Sequence, residues 1–429
     1  MPKTFMPSFD NLDELHAHQL RGLQWTVKHV YGGSDFYRRR LTECEVAPED
    51  IQNLDDIRKL PFTTADDLRE GYPFPLLSVP ESEVVRIHAS SGTTGKRKIL
   101  SYTRKDIDDW THFFARCYEM AGLSTADKVQ LAVGYGVWTA GVGFQLGCEK
   151  FGAMALPVGP GNVDLQCQFL VDLQSTVMCC TASMGLLMAE EINRRNLRDQ
   201  INLKKMIFGS ERSSDAMRQR IQELLGLEDM FDIPGMTELY GPGTGLDCAE
   251  HEGIHYWADY YILEILDPET LEPVTAGEVG EMVLTTLCKE AAPLIRYRTR
   301  DLTRTIERPC SCGNILPLHD RLLGRSDDMI IFRAVNIYPG QIDEVLSTIP
   351  DAGCEYQVHL VRKDDGKDYM TIRLECCENF DPASKPALAA AVVTEIKKKI
   401  MVSCEVEVMD YCTLPRSERK SKRFFDNRP

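Results

Sequence analysis

The chain has 429 residues, of which 43% are apolar and 27% are charged, and its formal net charge is −16. One hydrophobic core rarely grows to this size, so we expect two or three domains of ordinary globular composition. The acidic balance argues against general affinity for nucleic acid or anionic membranes, and no stretch is apolar over the length that a bilayer span needs.

The middle of the chain alternates apolar runs with helical patterns. Four short, turn-bounded runs are typical of buried strands, at residues 128–136, 153–159, 175–180 and 204–210. Helical patterns follow at residues 164–173 and 184–195, and Ser214 can cap a third helix. The apolar positions on one face of that helix are Met217, Ile221, Leu224 and Leu225. This alternation predicts a mainly parallel sheet with helices on both faces.

Two different patterns follow toward the C-terminus. Residues 253–287 predict β-hairpins around a Pro/Gly-rich turn, which adds a β-rich portion to the large domain. Beyond "GRSDD", the strands "YQVHLVR" and "DYMTIRLECC", a helix near residues 388–400 and "CEVEVMD" predict a small α+β unit of roughly 100 residues. We therefore predict an α/β fold with an N-terminal domain of residues 1–326 and a C-terminal domain of residues 327–429.

A loop of small polar residues lies within "HASSGTTGKRKIL" (residues 88–100). Its glycine spacing is not that of a Walker loop, and no Gly-Lys-Ser/Thr closes it. Backbone N–H groups in a Gly-rich turn form a concave anion site, to which hydroxyl groups add donors. The loop therefore predicts triphosphate binding with reaction at the α-phosphate, although such runs are also common as solvated turns. Its members are Ser90, Ser91, Gly92, Thr93, Thr94, Gly95 and Lys96.

Four further stretches occur in a fixed order after this loop: "GMTELYGPG", "RYRTRDL", "GRSDDMIIFRAVNIYPGQIDEVL" and the tail "LPRSERKSKRFF". Together with the loop they resemble the acyl-adenylate-forming superfamily and, more closely, the phenylacetate–coenzyme A ligase family. The resemblance extends from residue 60 to residue 426. It implies an enzyme that uses ATP to activate an aryl carboxylic acid as acyl-AMP and then transfers the acyl group to coenzyme A. We expect a homodimer, and fifteen cysteines without a secretory pattern indicate reduced thiols in a cytoplasm.

The resemblance also implies roles for individual residues around the triphosphate. The loop would close over the β- and γ-phosphates. Thr237 would contact phosphate and Glu238 would hold Mg²⁺, for which hard oxygen ligands are suited. A segment beside the adenine would consist of Gly209, Ser210 and Glu211. The alternative for Glu238 is a carboxylate that only stabilises a helix N-terminus.

The remaining implied roles concern the ribose and the C-terminal domain. Asp301 would accept hydrogen bonds from the ribose hydroxyls, and Arg325 would contact phosphate or ribose. Asp327 would be the hinge of a mobile C-terminal domain, which carries Lys420 to the α-phosphate as negative charge develops there. Asp301 could instead belong to a surface ion pair, and the basic tail could be a solvated end or a nucleic-acid patch.

The stretch "VGYGVWTAGVGFQLG" resembles the segment that lines the aryl pocket of the family. The pocket residues that the resemblance implies are Tyr135, Val137, Trp138, Gly235 and Met236. The small residues Gly141 and Gly143 would leave room for a ring. An aromatic and glycine run at a strand end is equally typical of packing and turns. Phenylacetate, indoleacetate, a hydroxybenzoate or another aryl acid all remain open.

Cysteine and histidine recur in "DCAEHEGIH" and "PCSCGN". A C-x-x-H pair, Cys248 and His251, and a C-x-C pair, Cys310 and Cys312, would supply four ligands to a structural Zn²⁺. His255 competes with His251. Because "GIH" is similar to a "GLH" stretch in ligases without these cysteines, we predict His251. The alternative is ordinary reduced thiols, since the chain has fifteen cysteines and no secretory pattern.

Three departures from the family pattern bear on these expectations: Arg97 in the loop, Pro234 before "GMTE", and Arg419 before Lys420. Two other functions stay open. One is an AMP-transferring ligase of the coenzyme F390 synthetase type, which has no coenzyme A step. The other is a non-catalytic, zinc-stabilised nucleotide-binding scaffold, against which the set of Thr237, Glu238, Asp301 and Lys420 argues.

Overall fold

A computed structural model describes residues 5–90, 97–137, 140–211, 213–333, 335–363, 366–417 and 422–428. The α-helices in these ranges are α1 Leu12–Gly33, α2 Asp35–Glu43, α3 Ala65–Glu70, α4 Arg104–Met120, α5 Ala140–Phe151, α6 Val163–Asp172, α7 Ala182–Arg194, α8 Asp215–Leu225, α9 Pro339–Ser347 and α10 Lys385–Ile400. Short 3₁₀-helices are Pro48–Asp50, Leu54–Lys59, Glu81–Glu83, Arg198–Gln200 and Pro382–Ser384.

The strands fall into a first set before the C-terminal third of the chain and a second set within it. The first set is β1 Arg86–Ala89, β2 Ile99–Tyr102, β3 Lys128–Leu131, β4 Met154–Leu156, β5 Val177–Thr181, β6 Lys205–Gly209, β7 Asp229–Asp232, β8 Gly235–Met236, β9 Gly241–Pro242, β10 Gly245–Asp247, β11 Ile254–Tyr256, β12 Tyr261–Leu266 and β13 Gly280–Thr286. The second set is β14 Tyr297–Thr303, β15 Thr305–Ile306, β16 Leu318–His319, β17 Gly324–Arg325, β18 Ile330–Phe332, β19 Val335–Ile337, β20 Ala352–Arg362, β21 Asp368–Cys376, β22 Glu405–Met409 and β23 Phe424–Asp426.

A five-stranded parallel sheet in the order β4-β3-β5-β6-β7 forms the centre of the N-terminal part. Helices α6, α7 and α8 connect its strands, as the alternating pattern predicted. The hydroxyl of Ser214 accepts a hydrogen bond from the Met217 N–H at 3.2 Å, and the four predicted apolar residues of α8 are buried. The predicted parallel sheet is therefore confirmed, and its carboxyl ends face the region where ligands bind in such folds.

Two four-stranded sheets make up the β-rich portion, in the orders β12-β13-β14-β17 and β10-β11-β16-β15. The stretch "IHYWADYYILEILD" divides between them, because the chain turns at Trp257. Trp257 is fully buried, and its indole N–H donates to the Gly243 carbonyl at 2.6 Å. β11 and β12 therefore belong to different sheets.

The C-terminal part contains a sheet in the order β22-β21-β20-β23, antiparallel at its centre and parallel at both edges. Its buried residues form a separate hydrophobic cluster that begins at Phe332 and ends at Val402. Helices α9 and α10 contribute Ile342 and Val392 to this cluster. The fold thus consists of a large α/β N-terminal domain and a smaller α+β C-terminal domain, as predicted.

The first 120 residues supply helices that the sequence patterns above did not assign. Helix α4 packs Trp110, Phe113 and Phe114 into the core, and the Trp110 indole N–H donates to the Pro242 carbonyl at 2.9 Å. This contact ties α4 to the segment that follows "GMTELY". Within the described ranges, no helix has both the length and the apolar content to cross a membrane.

Candidate functional site

A cavity of about 440 Å³ lies beside β14 and β17, next to the turn that follows β8. The predicted site residues in its wall are Met236, Glu238, Asp301, Arg325 and Asp327. Residues far apart in the sequence thus converge on one space, whose size is ordinary for a small-molecule site. Lys98 and Tyr297 also line it, and neither was predicted from the sequence.

The carboxylate of Glu238 is the most enclosed acidic group of this wall, with only 6% of the residue exposed. It forms an ion pair with Lys98, and the Tyr297 hydroxyl donates to its Oε1 at 3.1 Å. Burial of the Tyr297 phenol raises its pKa well above the usual value, so the phenol keeps its proton and stays a donor. Glu238 is therefore an oriented carboxylate that faces the cavity together with a cation.

Two buried side chains hold the backbone of the segment that carries Glu238. The Tyr102 hydroxyl donates to the Thr237 carbonyl at 3.0 Å. The Lys289 ammonium donates to the carbonyls of Glu238 at 3.1 Å and Leu239 at 2.7 Å. It lies 4.5 Å from the centre of the Tyr102 ring, and burial lowers its pKa to about 7. Three successive carbonyls are thus fixed. A lysine inside the largely apolar run "TTLCKEAAPLI" was the available sequence signal for this role.

Asp301 and Arg325 lie opposite each other on the paired strands β14 and β17. Arg325 Nη1 donates to Asp301 Oδ1 at 3.1 Å, while its Nε and Nη2 donate to Asp327 at 2.9 and 3.0 Å. Burial raises the pKa of Asp301 to about 6, and the Arg325 charge opposes that rise. The arginine therefore links the predicted ribose acceptor to the predicted hinge residue.

The ends of the predicted phosphate loop close a β-hairpin. β1 and β2 pair antiparallel, and the Ser90 N–H donates to the Lys98 carbonyl at 3.0 Å. The next described element after the loop is the strand β2, which distinguishes it from the strand–loop–helix of P-loop proteins. The predicted residues that lie outside the described ranges are Ser91, Gly92, Thr93, Thr94, Gly95, Lys96, Trp138 and Lys420.

The predicted adenine-side segment follows the carboxyl end of β6. Ser210 adopts a positive φ of 74°, and Glu211 accepts a hydrogen bond from the Ser183 N–H at 2.6 Å. Gly209, Ser210 and Glu211 do not line the 440 Å³ cavity. Their place at a strand end of the parallel sheet is compatible with a ligand contact, which stays a prediction.

The predicted acid pocket is described only in part. Tyr135 and Val137 are exposed, at 38% and 46%. The expectation that two glycines leave room for a ligand ring is wrong: a Cβ at Gly141 would lie 2.6 Å from the Tyr135 ring, and one at Gly143 would lie 2.3 Å from Phe114. These glycines make room for the protein's own rings. At Gly235, φ is 153° and a Cβ would lie 2.4 Å from the Gly241 carbonyl oxygen, so this turn needs glycine.

Three of the predicted metal ligands meet in a second cluster. Cys248, His255, Cys310 and Cys312 offer ligand atoms that all lie within 4.8 Å of one another. The Cys248 and Cys310 sulfurs are 3.4 Å apart, as are the Cys312 sulfur and His255 Nε2. Strands β10, β11, β15 and β16 of one sheet bring these residues together. Burial raises the pKa of the Cys248 thiol to about 12.

The choice of His251 over His255 does not agree with the structure. His251 Nδ1 is 3.0 Å from Asp247, and its Nε2 is 2.8 Å from Asp229, so carboxylates occupy both ring nitrogens. These two acids raise the pKa of His251. His255 is fully buried, and its Nδ1 donates to the Leu316 carbonyl at 2.9 Å. That bond leaves its Nε2 directed at the cysteines, which is the arrangement of a metal-binding histidine.

Comparisons with known proteins identify the family of this chain. The model of the AMP-binding enzyme family matches residues 27–287, and that of the AMP-binding enzyme C-terminal domain matches residues 334–428. A phenylacetate–coenzyme A ligase of Pseudomonas putida is 38% identical over 425 residues, which cover 97% of this chain and 95% of the relative.

Two solved structures of 2-hydroxyisobutyryl-CoA ligase share the fold over 100% of this chain and 95% of theirs. One, in the postadenylation state, has a TM-score of 0.89 at 24% identity. The other, in the thioesterification state, has a TM-score of 0.72 at 25% identity. The described arrangement of the two domains is thus the one that superposes better on the postadenylation-state structure.

The chain belongs to the phenylacetate–coenzyme A ligase family of AMP-binding enzymes. It is an acid–thiol ligase that consumes ATP, forms an acyl-AMP and joins the acid to coenzyme A.

Proposed function

We propose that the acid is an aryl carboxylic acid of the phenylacetate type and that ATP binds in the 440 Å³ cavity. The observation that carries this proposal is the convergence of Glu238, Asp301 and Arg325 on one cavity wall. An acidic pair and one arginine match the needs of a magnesium-bound triphosphate and a ribose. Relatives named for phenylacetate support the acid class.

A bound nucleotide would replace the ion pair between Asp301 and Arg325 by contacts of each side chain with the ligand. Asp301 would turn from Arg325 to the ribose hydroxyls, as a carboxylate with only acceptor atoms. Arg325 would then be free to contact phosphate or ribose. The hairpin loop from Ser90 to Lys96 would cover the β- and γ-phosphates, because its two ends are fixed at this wall by β1 and β2.

Magnesium fits the chemistry of Glu238. Hard carboxylate oxygen is the ligand type that Mg²⁺ prefers in proteins, and the ion normally adds phosphate oxygens and waters. The Lys98 ammonium beside Glu238 supports this assignment, since the carboxylate already has a positive charge as its partner. Bound with ATP, magnesium would neutralise triphosphate charge, while Glu238, held by Tyr297, would fix its position.

The reaction would proceed in two steps. A carboxylate oxygen of the acid attacks the α-phosphorus of ATP, and pyrophosphate leaves. The sulfur of coenzyme A then attacks the acyl carbon, and AMP leaves with the electron pair of the broken bond. Lys420 would stabilise the charge of the first transition state. We propose the domain boundary at residues 326 and 327, with Asp327 as the hinge between the two steps.

The acid would lie beside Met236, which lines the cavity, and extend toward Tyr135 and Val137. Both of these side chains are partly exposed, so an apolar ring placed against them would cover them. Gly235 precedes Met236 in the tight β8–β9 turn, where any side chain would collide with Gly241 and Pro242.

We further propose that Cys248, His255, Cys310 and Cys312 hold a structural zinc ion. Ligand atoms at 2.0–2.3 Å from zinc lie roughly 3.5–3.8 Å apart at the corners of a tetrahedron. The cluster, whose atoms lie within 4.8 Å of one another, needs only small side-chain adjustments to reach that geometry. Three thiols and one imidazole form a common structural zinc set, and four ligands leave no open position for catalysis.

The direct test is ATP–pyrophosphate exchange over a panel of aryl and aliphatic acids, followed by thioester formation with and without coenzyme A. Exchange with aryl acids and release of free AMP only when coenzyme A is present are the expected results. Exchange confined to aliphatic acids would contradict the proposed acid. The homodimer and the cytoplasmic location stay predictions, and light scattering on the purified protein checks the first.

A further inference from the structure

A buried ion-pair network joins the tail of the C-terminal domain to helix α7 of the N-terminal domain. Arg416 lies at its centre, with 9% of its side chain exposed. Its Nε and Nη2 donate to Glu190 of α7 at 2.9 and 3.0 Å. Its Nη1 and Nη2 donate to Glu375 of β21 at 3.0 and 2.9 Å. One guanidinium thus binds a carboxylate of each domain with two hydrogen bonds.

Further contacts across the same boundary surround this arginine. The Tyr411 hydroxyl donates to Glu190 at 2.8 Å. Arg220 of α8 donates to the Tyr411 hydroxyl at 3.2 Å and forms an ion pair with Glu378. Separating such enclosed charged groups would leave each of them without its partner, which is costly if they stay buried. The network therefore provides charged contacts between the domains that exist only in this arrangement.

The two carboxylates around Arg416 are not equivalent. Glu375 belongs to the same domain as Arg416, is 1% exposed, and also accepts a hydrogen bond from the Leu414 N–H at 2.6 Å. It would move together with Arg416 in any rotation of that domain. Glu190 belongs to the other domain, and within the described ranges Arg416 is its one ion-pair partner. A rotation would break the pair with Glu190 and keep the pair with Glu375.

The position of Arg416 in the chain connects this contact to catalysis. Lys420 follows four residues later, so its Cα lies within roughly 14 Å of the Arg416 Cα even in a fully extended chain. Holding Arg416 against α7 therefore confines the lysine to one side of the N-terminal domain. Releasing Arg416 would allow the tail to leave with the rest of its domain.

We propose that Glu190 and Arg416 form a latch that holds the C-terminal domain in the orientation for acyl-AMP formation and opens before thioester formation. The arrangement in which the latch is closed is the one that superposes on the postadenylation-state relative. The proposal rests on the proposed function, since it assigns the first half-reaction to Lys420. Glu190 is a positioning residue, because it acts through the tail and touches neither substrate.

The test compares Glu190→Gln with Glu191→Gln, its neighbour on the same helix. Glu191 pairs only with Arg194 and Arg195 of its own helix turn among the described residues. Each half-reaction is measured separately, as ATP–pyrophosphate exchange and as thioester formation from synthetic acyl-AMP and coenzyme A. Glu190→Gln should slow the exchange about ten- to hundredfold, the range for one charged hydrogen-bonded contact, and leave thioester formation equal or faster. Glu191→Gln should change neither.

Amide hydrogen exchange supplies a readout that needs no turnover. In Glu190→Gln, but not in Glu191→Gln, residues 411–417 should exchange faster than in the unmodified chain, while the melting temperature stays within a few degrees. Equal loss of both half-reactions, or unchanged protection of residues 411–417, overturns the latch. If the unmodified chain activates no acid, the proposed function fails on its own. The amide hydrogen exchange of residues 411–417 then still decides whether the contact between Glu190 and Arg416 holds the tail.

Discussion

The cavity around Glu238 and the cluster around Cys310 show two opposite uses of buried polar groups. In the cavity, each charged group already has a partner of opposite charge: Lys98 for Glu238 and Arg325 for Asp301. In the cluster, Cys248, Cys310 and Cys312 lie beside His255, and no described lysine or arginine pairs with them.

This difference separates exchangeable from permanent binding. A ligand that enters the cavity replaces one ion pair by another, so the buried charges have partners both before and after binding. The thiols contribute no opposite charge to one another, and burial raises the pKa of Cys248 and of Cys310, which disfavours their thiolate forms. A metal bound to the cysteine cluster would stabilise the folded chain, whereas a nucleotide in the cavity would bind and leave in each catalytic cycle.

The largest expected effect follows from removing a zinc ligand. Structural zinc in small peptides is worth roughly 10–16 kcal/mol of apparent binding free energy, of which a large domain gains only part. Cys310→Ser and Cys312→Ser should each lose bound zinc and melt about 10 °C lower or more. The kcat of the protein that stays folded should change little. Metal analysis per chain, calorimetry and steady-state kinetics measure the three quantities.

The two histidines provide the control for this prediction. His255→Asn should lose zinc in the same way, because its Nε2 lies 3.4 Å from the Cys312 sulfur. His251→Asn should retain a full zinc content, since Asp247 and Asp229 occupy both nitrogens of that ring. Zinc loss in His251→Asn with full retention in His255→Asn would reverse the ligand assignment. If the unmodified chain is purified without zinc, the proposal of a zinc site is wrong.

A smaller change, about 3–4 kcal/mol in the activation free energy, is expected for Lys420→Ala. Removing one group that stabilises a developing charge typically lowers the rate by ~10²–10³. Pyrophosphate exchange should fall by that factor, while thioester formation from supplied acyl-AMP stays largely intact and zinc content is unchanged. Equal loss in both half-reactions would show that Lys420 acts in folding or in a different step.

The pH dependence of ATP binding tests the exchangeable character of the cavity. Burial raises the pKa of Asp301 to about 6, so its carboxyl becomes protonated as the pH falls through that value. A protonated carboxyl is a poorer acceptor for two ribose hydroxyls, and the KM for ATP should rise about tenfold per pH unit below 6. In Asp301→Asn the KM for ATP should be high at every pH and should not rise further below pH 6. An identical slope in both proteins would assign the titration to another group.

Much of the fold could be predicted because local signals agreed with the final packing. The strands β5 and β6 each contain a short apolar run, and Ser214 precedes a helix with one apolar face. The division at Trp257 could not be predicted, because a buried aromatic residue has the same local pattern inside a strand and at a turn. β23 was also missed, since three residues that pair parallel with β20 carry no periodic signal.

Site residues that belong to sequence motifs could be predicted. Residues whose position depends on the pairing register of strands could not. Glu238, Asp301 and Arg325 stand in motifs, and the fold brings them to one wall. The choice between His251 and His255 depends on the pairing of β11 with β10 and β16, which a C-x-x-H spacing does not encode. Lys289 was missed because a lysine is usually exposed, and only the packed structure shows its two carbonyl contacts and its two ring contacts.

The smallest expected effect concerns the backbone beneath Glu238 and uses two tyrosines of matching chemistry. Tyr102→Phe removes one hydrogen bond, to the Thr237 carbonyl, and keeps the ring packed against Lys289. Tyr118→Phe removes a similar buried bond, to the Phe144 carbonyl at 2.8 Å, away from the cavity. Each loss should lower the free energy of unfolding by about 0.5–1.5 kcal/mol.

The two variants should differ in catalysis and not in stability. Only Tyr102→Phe loosens the segment that positions the Glu238 carboxylate, so only it should raise the Mg²⁺ concentration needed for half-maximal exchange, by about two- to tenfold. Zinc content should be unchanged in both, because neither ring contacts the cysteine cluster. Magnesium titrations of pyrophosphate exchange, with thermal melts of the same samples, measure the two effects. Equal magnesium dependence in the two variants would mean that Lys289 alone holds the Glu238 segment in place.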